Sequence, residues 1–278
     1  MKADSAGSNP DDATNTETYP NQPLRDFLAS VGETVANLNT AVVGLDAVEK
    51  GHEKPDALNI SWNPKDRVAA ARKSRRFMLE AVLVRVAEAL DEFVKAMARM
   101  PRFSAIRSNW NSKTSRAEML ADVAFEAVGP DSYLAVGAVL LVHWRNRVVH
   151  PRSRASLTPI QRKKLVDSEK EIDEGFAGLS VNRLLADFES GQATLKDITS
   201  LVAMSIRLTR QIDKAVAVLA VHDLHALMDY YGLNVRIAEI EMQTTPAKRN
   251  ASVLRFLKST APGLAEVYCR LNLTIDAS

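Results

Sequence analysis

The sequence contains a single cysteine, Cys269, among its 278 residues. An internal disulfide is therefore excluded, as is a zinc or iron–sulfur site built on several cysteines of this chain. No apolar run approaches the roughly 18 residues of a membrane-spanning helix, and the amino terminus lacks the apolar core of a signal peptide. We therefore expect a cytoplasmic protein that does not associate with membranes.

Several motifs of nucleotide and hydrolase chemistry are also missing. The sequence has no G-x-x-x-x-G-K-[ST] phosphate loop, no G-x-G-x-x-G and no G-x-S-x-G nucleophile elbow. His222 and His225 have a spacing that suits two metal ligands, but no third ligand accompanies them. We therefore predict neither a metal nor an organic cofactor.

Residues 1–23 differ in composition from the rest of the chain. They are rich in Ser, Thr, Asn and Asp and include Pro10, Pro20 and Pro23. Such a segment cannot bury enough apolar surface to offset the entropy lost on ordering. We predict a disordered tail here.

Beyond the tail, apolar residues recur at helical spacing almost everywhere. The predicted helices lie near Phe27–Leu45, Phe77–Val94, 115–128, 132–150, 158–177 and 195–230, with a short helix after Gly178 and further helices near 234–243, 249–258 and 263–271. The sequence has no convincing hairpin and no internal repeat, so the predicted class is all-α. We place a helical bundle at 24–178 and a carboxy-terminal helical extension at 179–278.

The stretch "HWRNRVVHP" at 143–151 places two arginines, an asparagine and two histidines at the end of an apolar helix. Asp131 or Ser132 offers an N-cap for this helix, and Pro151 disfavours helical dihedrals at His150 and so ends it. Within the stretch, Arg145, Asn146 and His150 form the pattern R-N-x-x-x-H. These three residues are the candidate catalytic residues.

Residue chemistry suggests what such a set can do. Histidine alone among side chains titrates near neutral pH without perturbation, which suits His150 to proton transfer. Arginine presents a permanent planar cation that matches phosphate oxygens, which suits Arg145 to clamping a phosphate. Asn146 lies four residues before His150 and shares its helical face, so its carboxamide can orient the imidazole or touch the phosphate.

The R-N-x-x-x-H pattern at the end of a helix resembles the motif of the HEPN superfamily, small helical proteins with ribonuclease members. The resemblance implies a homodimeric, metal-independent endoribonuclease that leaves a 2′,3′-cyclic phosphate. It also implies a toxin or antiviral defence setting and a possible antitoxin or regulatory protein partner. Some family toxins carry a tyrosine two places after the histidine, where this chain has Arg152.

Basic residues around the motif point to a polyanion such as RNA. Between Asp131 and Asp167 there is no acidic residue, and the cations there include Arg147, Arg152 and Arg154. We assign these three arginines to the RNA backbone. Trp110 lies in the long connection "PRFSAIRSNWNSKT" and can stack on an unpaired base, or it can fold back onto the core.

Two functions are therefore compatible with the sequence. One is the endoribonuclease, and the other is a non-catalytic helical module that binds RNA or protein. Under the second interpretation, Arg145 and Arg147 are ordinary cations at a helix carboxyl end, where positive charge is favourable, and His150 only caps the helix.

Overall fold

A computed structural model describes residues 22–217, 228, 232–260, 264–265 and 268–269. Within these ranges the chain is helical and contains no strand, which confirms the all-α class. The eleven α-helices of the described residues are α1 (Gln22–Glu49), α2 (Arg67–Met97), α3 (Ser104–Ser108), α4 (Arg116–Val128), α5 (Tyr133–Val149), α6 (Pro159–Asp167), α7 (Glu169–Gly175), α8 (Val181–Ser190), α9 (Leu195–Ala217), α10 (Asn234–Gln243) and α11 (Pro246–Thr260).

The chain divides into two compact units, and residues 21–216 form the larger one. The sequence predicted a boundary near Gly178, but this position lies inside the larger unit. The helices on either side of it, α7 and α8, contact each other, and α8 buries Val181, Leu184 and Phe188. Helices α8 and α9 therefore belong with the first seven rather than with an extension.

Helices α1 and α2 form a long antiparallel pair. Phe27 near the start of α1 meets Phe93 near the end of α2, with ring centroids 5.9 Å apart. The buried residues of α1 are Leu24, Phe27, Val31, Thr34 and Leu38, which recur every three or four positions as one face of a helix requires. The first predicted helix is thus confirmed, although it begins at Gln22, inside the predicted tail; the tail residues 1–21 lie outside the described residues.

Helices α4 and α5 form an antiparallel hairpin that begins and turns where the sequence predicts. Ser115 and Glu118 make a capping box at the start of α4. Gly129 follows its last residue with φ +85°, a conformation that favours glycine. Ser132 then caps α5 by accepting a hydrogen bond from the Ala135 backbone N–H.

Helix α5 is the central helix of the unit, because its residues from Leu134 to Val142 are all buried. Gly137 lets another helix approach closely, since a Cβ there would overlap the sulfur of Met204 on α9. Being apolar on every side, α5 is surrounded by protein for most of its length. Its carboxyl end, from Asn146 to His150, is where it reaches the surface.

One predicted helix proves to be two. The sequence predicted a single helix over 158–177, but α6 ends at Asp167 and α7 begins at Glu169. Ser168 between them is buried, with φ −97° and ψ 13°, and its N–H reaches the carbonyl oxygens of Lys164 and Leu165. The chain bends at this residue while its backbone donor stays satisfied.

The second unit is described by α10 and α11, which pack against each other. Its buried residues include Leu233, Ile237, Val253 and Leu257. The helix predicted at 234–243 is confirmed, and the one predicted at 249–258 runs over 246–260. His222, His225 and most of the segment predicted as helix at 263–271 lie outside the described residues. None of the helices in the described ranges is both long enough and apolar enough to cross a membrane.

Candidate functional site

The candidate site lies where the carboxyl end of α5 meets the amino end of α4. Because the two helices are antiparallel, the last turn of α5 lies beside Arg116 in the first turn of α4. A third helix, α2, contributes acidic side chains to the same place. The site is thus built on three helices of the larger unit.

Arg145 is held by an ion pair that the motif alone does not reveal. Its side chain is only 13% exposed, and Nη2 donates to Glu88 Oε1 of α2 at 2.5 Å. Its Nη1 donates to the Asn146 side-chain oxygen at 3.2 Å. The structure therefore brings Arg145 and Asn146 together and fixes the guanidinium against α2.

Glu88 serves two guanidinium groups at once. Arg116 Nη1 of α4 donates to the same Oε1 at 2.6 Å. Burial raises the pKa of the Glu88 carboxyl, but the hydrogen bonds from Arg116 and Arg145 outweigh burial, so its pKa lies below the usual value. Glu88 is therefore ionised at neutral pH and ties α2, α4 and α5 together.

The charged contacts continue along α2. Asp91 has a side chain only 3% exposed, and its Oδ2 lies 2.7 Å from Lys95 Nζ and 3.4 Å from Arg116 Nε. The carboxylates of Glu88 and Asp91 thus alternate with the cations of Arg145, Arg116 and Lys95. A buried carboxylate is tolerated when it is paired in this way.

His150 stands apart from this network. It is exposed and ends α5, where its backbone N–H donates to the Asn146 carbonyl at 2.9 Å. The side chains of Arg145 and Asn146 are both among the described residues. Neither forms a hydrogen bond with the His150 imidazole. Two members of the motif are therefore in contact, and the third is an accessible imidazole at the helix end.

Arg147 has contacts that the sequence did not predict. Its guanidinium lies over the Phe188 ring, 3.8 Å from the centroid, and donates to the carbonyl oxygens of Ala155 and Phe188 and to Glu189. The side chain is 23% exposed. The donors of Arg147 are thus engaged in attaching α8 to the end of α5.

The acid-free basic stretch between Asp131 and Asp167 is largely neutralised by acids that lie outside it or at its two ends. Five of its seven cations have carboxylate partners: Arg145 with Glu88, Arg147 and Arg162 with Glu189, Lys163 with Asp167, and Lys164 with Asp131. The other two, Arg152 and Arg154, are exposed and form no ion pair with any residue that the structure describes. These two arginines are the ones left available to a polyanion beside His150.

Trp110 is half-buried, and its indole Nε1 donates to Asp122 Oδ2 of α4 at 2.9 Å. The connection that carries it is not irregular throughout, because it contains a short 3-10 turn at Pro101–Phe103 and helix α3. Trp110 is therefore anchored to α4 by its polar edge. This contact favours the folded-back alternative over a free stacking platform.

His143, the first residue of the stretch at 143–151, is a titratable group of α5 whose pKa is shifted by its surroundings. Burial lowers the pKa of its imidazole, and the nearby positive charge of Arg147 lowers it further, while Glu118 opposes both. Its Nδ1 is buried and has no hydrogen-bond partner among the described residues. His143 is therefore neutral at pH 7.

This pKa predicts how stability depends on pH. The unfolded chain protonates His143 near pH 6.5, whereas the folded chain resists protonation until a lower pH. The free energy of unfolding therefore falls as pH drops from about 6.5 through the folded-state pKa. We expect His143→Gln to flatten this fall in urea unfolding measured between about pH 7.5 and 5. The same substitution at the exposed His52 is the control, and parallel profiles for wild type and His143→Gln would contradict the assignment.

The residues missed by sequence reasoning are the acids of α2. Asp91 lies on the buried stripe of that helix, four residues after the buried Ala87. A charged residue at a position where the helical spacing calls for an apolar one was the signal in the sequence that could have indicated a buried ion pair. No group of three or more potential metal ligands occurs within the part of the chain that the structure describes.

Comparisons of this chain with protein-family models, with curated proteins and with solved structures found no match.

Proposed function

We propose that this protein is a metal-independent endoribonuclease of the HEPN type, with its site at the carboxyl end of α5. The observation that carries the proposal is the combination found there. An accessible imidazole, His150, follows by five residues a guanidinium that is held in place, Arg145, and two exposed arginines without acidic partners come directly after. Proton transfer, charge stabilisation and backbone binding are thus available within ten residues of sequence.

The reaction assigns one role to each group. The ribose 2′-oxygen attacks the adjacent phosphorus, the bond to the 5′-oxygen breaks, and a 2′,3′-cyclic phosphate forms. One imidazole removes the 2′-OH proton and a protonated one donates to the departing 5′-oxygen, so no net proton is consumed. Arg145 stabilises the negative charge on the phosphorane oxygens.

Glu88 acts as a positioning residue for Arg145. Its carboxylate accepts one hydrogen bond from Nη2, and the Asn146 side-chain oxygen accepts one from Nη1. A second N–H on each of these nitrogens is then left to donate. The guanidinium is therefore oriented before substrate binds and keeps donors for a phosphate. Preorganised donors of this kind cost no rearrangement during reaction.

The proposal narrows the RNA-binding set that the sequence suggested. Arg152 and Arg154 retain the role of holding phosphates, because they are exposed and have no ion-pair partner among the described residues. Arg147 and Trp110 have their polar atoms bound within the protein. We assign those two residues to shaping the surface beside the site.

A homodimer forms part of the proposal. Five residues at about 100° each place Arg145 and His150 roughly 140° apart around an ideal helix, so one helix does not direct both side chains to one point. Two copies of the α5 end facing each other across a two-fold axis would supply two imidazoles, one as base and one as acid. An antitoxin or other regulatory protein would then act by blocking the space between the two α5 ends. Expression without that partner would slow growth.

The second candidate is a helical module that binds RNA or protein without cutting it. The observation that favours it is that Arg145 and Arg147 are both ion-paired to residues of other helices, as structural arginines are. In this case the same exposed surface around His150 would bind a partner and leave it intact.

RNA cleavage in the presence of EDTA distinguishes the two candidates. We expect cleavage of a single-stranded RNA and no cleavage at a position whose 2′-OH is replaced by hydrogen, since the nucleophile is then missing. Arg145→Lys keeps a charge for Glu88 but loses the planar fork, and it should lower the rate by about 100-fold. Arg99→Lys, at an exposed arginine just beyond α2, is the matched control.

Each outcome of this experiment supports one of the two candidates or contradicts the proposed chemistry. Retention of RNA without cleavage supports the binding module. Cleavage that persists at the 2′-deoxy position, or equal rates for wild type and Arg145→Lys, would contradict the proposed chemistry. The melting temperature of each variant shows whether a lost rate reflects the site or the fold.

A further inference from the structure

An open groove lies on the larger unit among α1, α2 and the turn that joins α8 to α9. Its volume is about 910 Å³, which is within the range of small-molecule sites in proteins, roughly 300–1,000 Å³. All of its lining residues lie between Val42 and Leu195. None of them belongs to the site at the end of α5.

Four cations of α2 line the groove, and they outnumber the acids beside them. These cations are Arg72, Lys73, Arg75 and Arg76. Glu49 is shared by two of them, since its Oε1 lies 3.5 Å from Arg75 and 4.0 Å from Arg72. Asp46, the acid in the lining, is already paired with Lys50 at 2.6 Å.

Arg72 and Lys73 supply the available charge. The Arg72 side chain is 74% exposed, and its contact with Glu49 is a long one. Lys73 is exposed and has no ion pair or hydrogen bond to any described residue. The groove therefore presents one weakly paired guanidinium and one unpaired ammonium to solvent.

Arg76 makes the groove a preformed feature. Its three nitrogens contact Glu80 at 3.0 Å, the Gln192 side-chain oxygen at 3.3 Å and the Gly191 carbonyl at 3.2 Å. These contacts fasten the α8–α9 turn to α2 and so hold two walls of the groove in place. A ligand would not have to order them.

Apart from Gln192 and Thr194, the remaining lining is apolar. Val42 and Val43 of α1, Leu79 of α2 and Leu195 of α9 contribute hydrophobic surface, and Val43 is 72% exposed. Cations along one side and exposed aliphatic side chains along another match a molecule with an anionic end and an apolar body. A ligand with only one of these features would leave part of the lining without contacts.

We propose that this groove binds a small phosphorylated molecule with an apolar or aromatic body, free in solution. Its phosphate group lies on Arg72 and Lys73, and its body lies on Val43 and Leu195. Fork-shaped guanidinium donors suit phosphate oxygens, and the ammonium adds a point charge. The site is concave and of ligand size, which favours a free molecule over a lipid surface.

Binding of a fluorescent N-methylanthraniloyl derivative of ATP to the full chain tests this proposal. The probe carries phosphates and an aromatic body, and fluorescence anisotropy measures its affinity. We expect the double variant Arg72→Ala/Lys73→Ala to weaken binding by about tenfold or more, because it removes two charge-assisted contacts. Val43→Trp should also weaken binding by filling the groove, and it is safe for folding because Val43 is exposed.

The control is Arg99→Ala/Lys170→Ala, which removes two exposed cations outside the groove. Inorganic pyrophosphate should displace the probe if the anionic end lies on the cations. Absence of probe binding, unchanged affinity in Arg72→Ala/Lys73→Ala, or displacement only by vesicles containing phosphatidic acid would overturn the proposal. None of these measurements depends on RNA cleavage, so the groove and the nuclease proposal stand or fall separately.

Discussion

Replacing His150 with alanine is expected to reduce RNA cleavage by about 10²- to 10⁴-fold, the usual contribution of a positioned acid–base group. The imidazole is exposed at the end of α5, and the residue's contribution to the helix end is a backbone N–H bond that alanine also makes. The free energy of unfolding should therefore change little. Initial rates on a labelled RNA, together with urea unfolding of the same samples, measure both quantities.

His52→Ala is the matched control, because His52 is also exposed and lies in the loop between α1 and α2. It should cut RNA at the wild-type rate. A His150→Ala protein that cleaves as fast as wild type would remove the acid–base assignment. A His150→Ala protein that is inactive because it has unfolded would show a lowered urea midpoint, which the exposed position argues against.

The helix ends around the site were predictable because their signals are local. Ser115 with Glu118, Ser132 and Pro151 each determine the backbone within four residues of themselves, through a side-chain cap or a fixed dihedral. The position of His150 at the end of α5 follows from these signals, whereas its exposure depends on how the other helices pack. The all-α class follows in the same way from helical spacing of apolar residues.

The partners of the arginines were not predictable, because they come from distant positions. Glu88 lies 57 residues before Arg145, and Glu189 lies 42 residues after Arg147. A stretch without acids therefore looked strongly basic, although Glu88 and Glu189 of other helices pair with its three arginines that are not free, and the flanking acids Asp131 and Asp167 pair with two of its lysines. Local charge counts overestimate a basic surface whenever the fold brings carboxylates from elsewhere.

Phe77 illustrates a second limit. Phe77 begins the second helix that the spacing of apolar residues predicts, but the residue is 68% exposed, whereas Leu79 is buried. Two residues at about 100° each lie on nearly opposite faces of a helix. Both positions are apolar, so only the packing of α1 and its neighbours decides which of them faces the core.

The largest effect on stability is expected for Trp144→Ala, at about 3–5 kcal/mol of unfolding free energy. Trp144 is 2% exposed and meets Phe188 of α8 edge-on, with ring centroids 5.5 Å apart. Arg147 lies on the same Phe188 ring, so removing the indole leaves a cavity beneath the contact that attaches α8 to the end of α5. Urea unfolding measures the loss.

Trp62→Ala provides the comparison, because Trp62 is half-buried and its recorded ring contact is Arg67, 5.9 Å from the ring centroid. That substitution should cost about 1 kcal/mol or less. If Trp144→Ala cost no more than Trp62→Ala, α8 would not be anchored to α5 through this aromatic pair. The end of α5 would then have to be fixed by the Arg145–Glu88 and Arg147–Glu189 ion pairs alone, and its orientation would depend on salt.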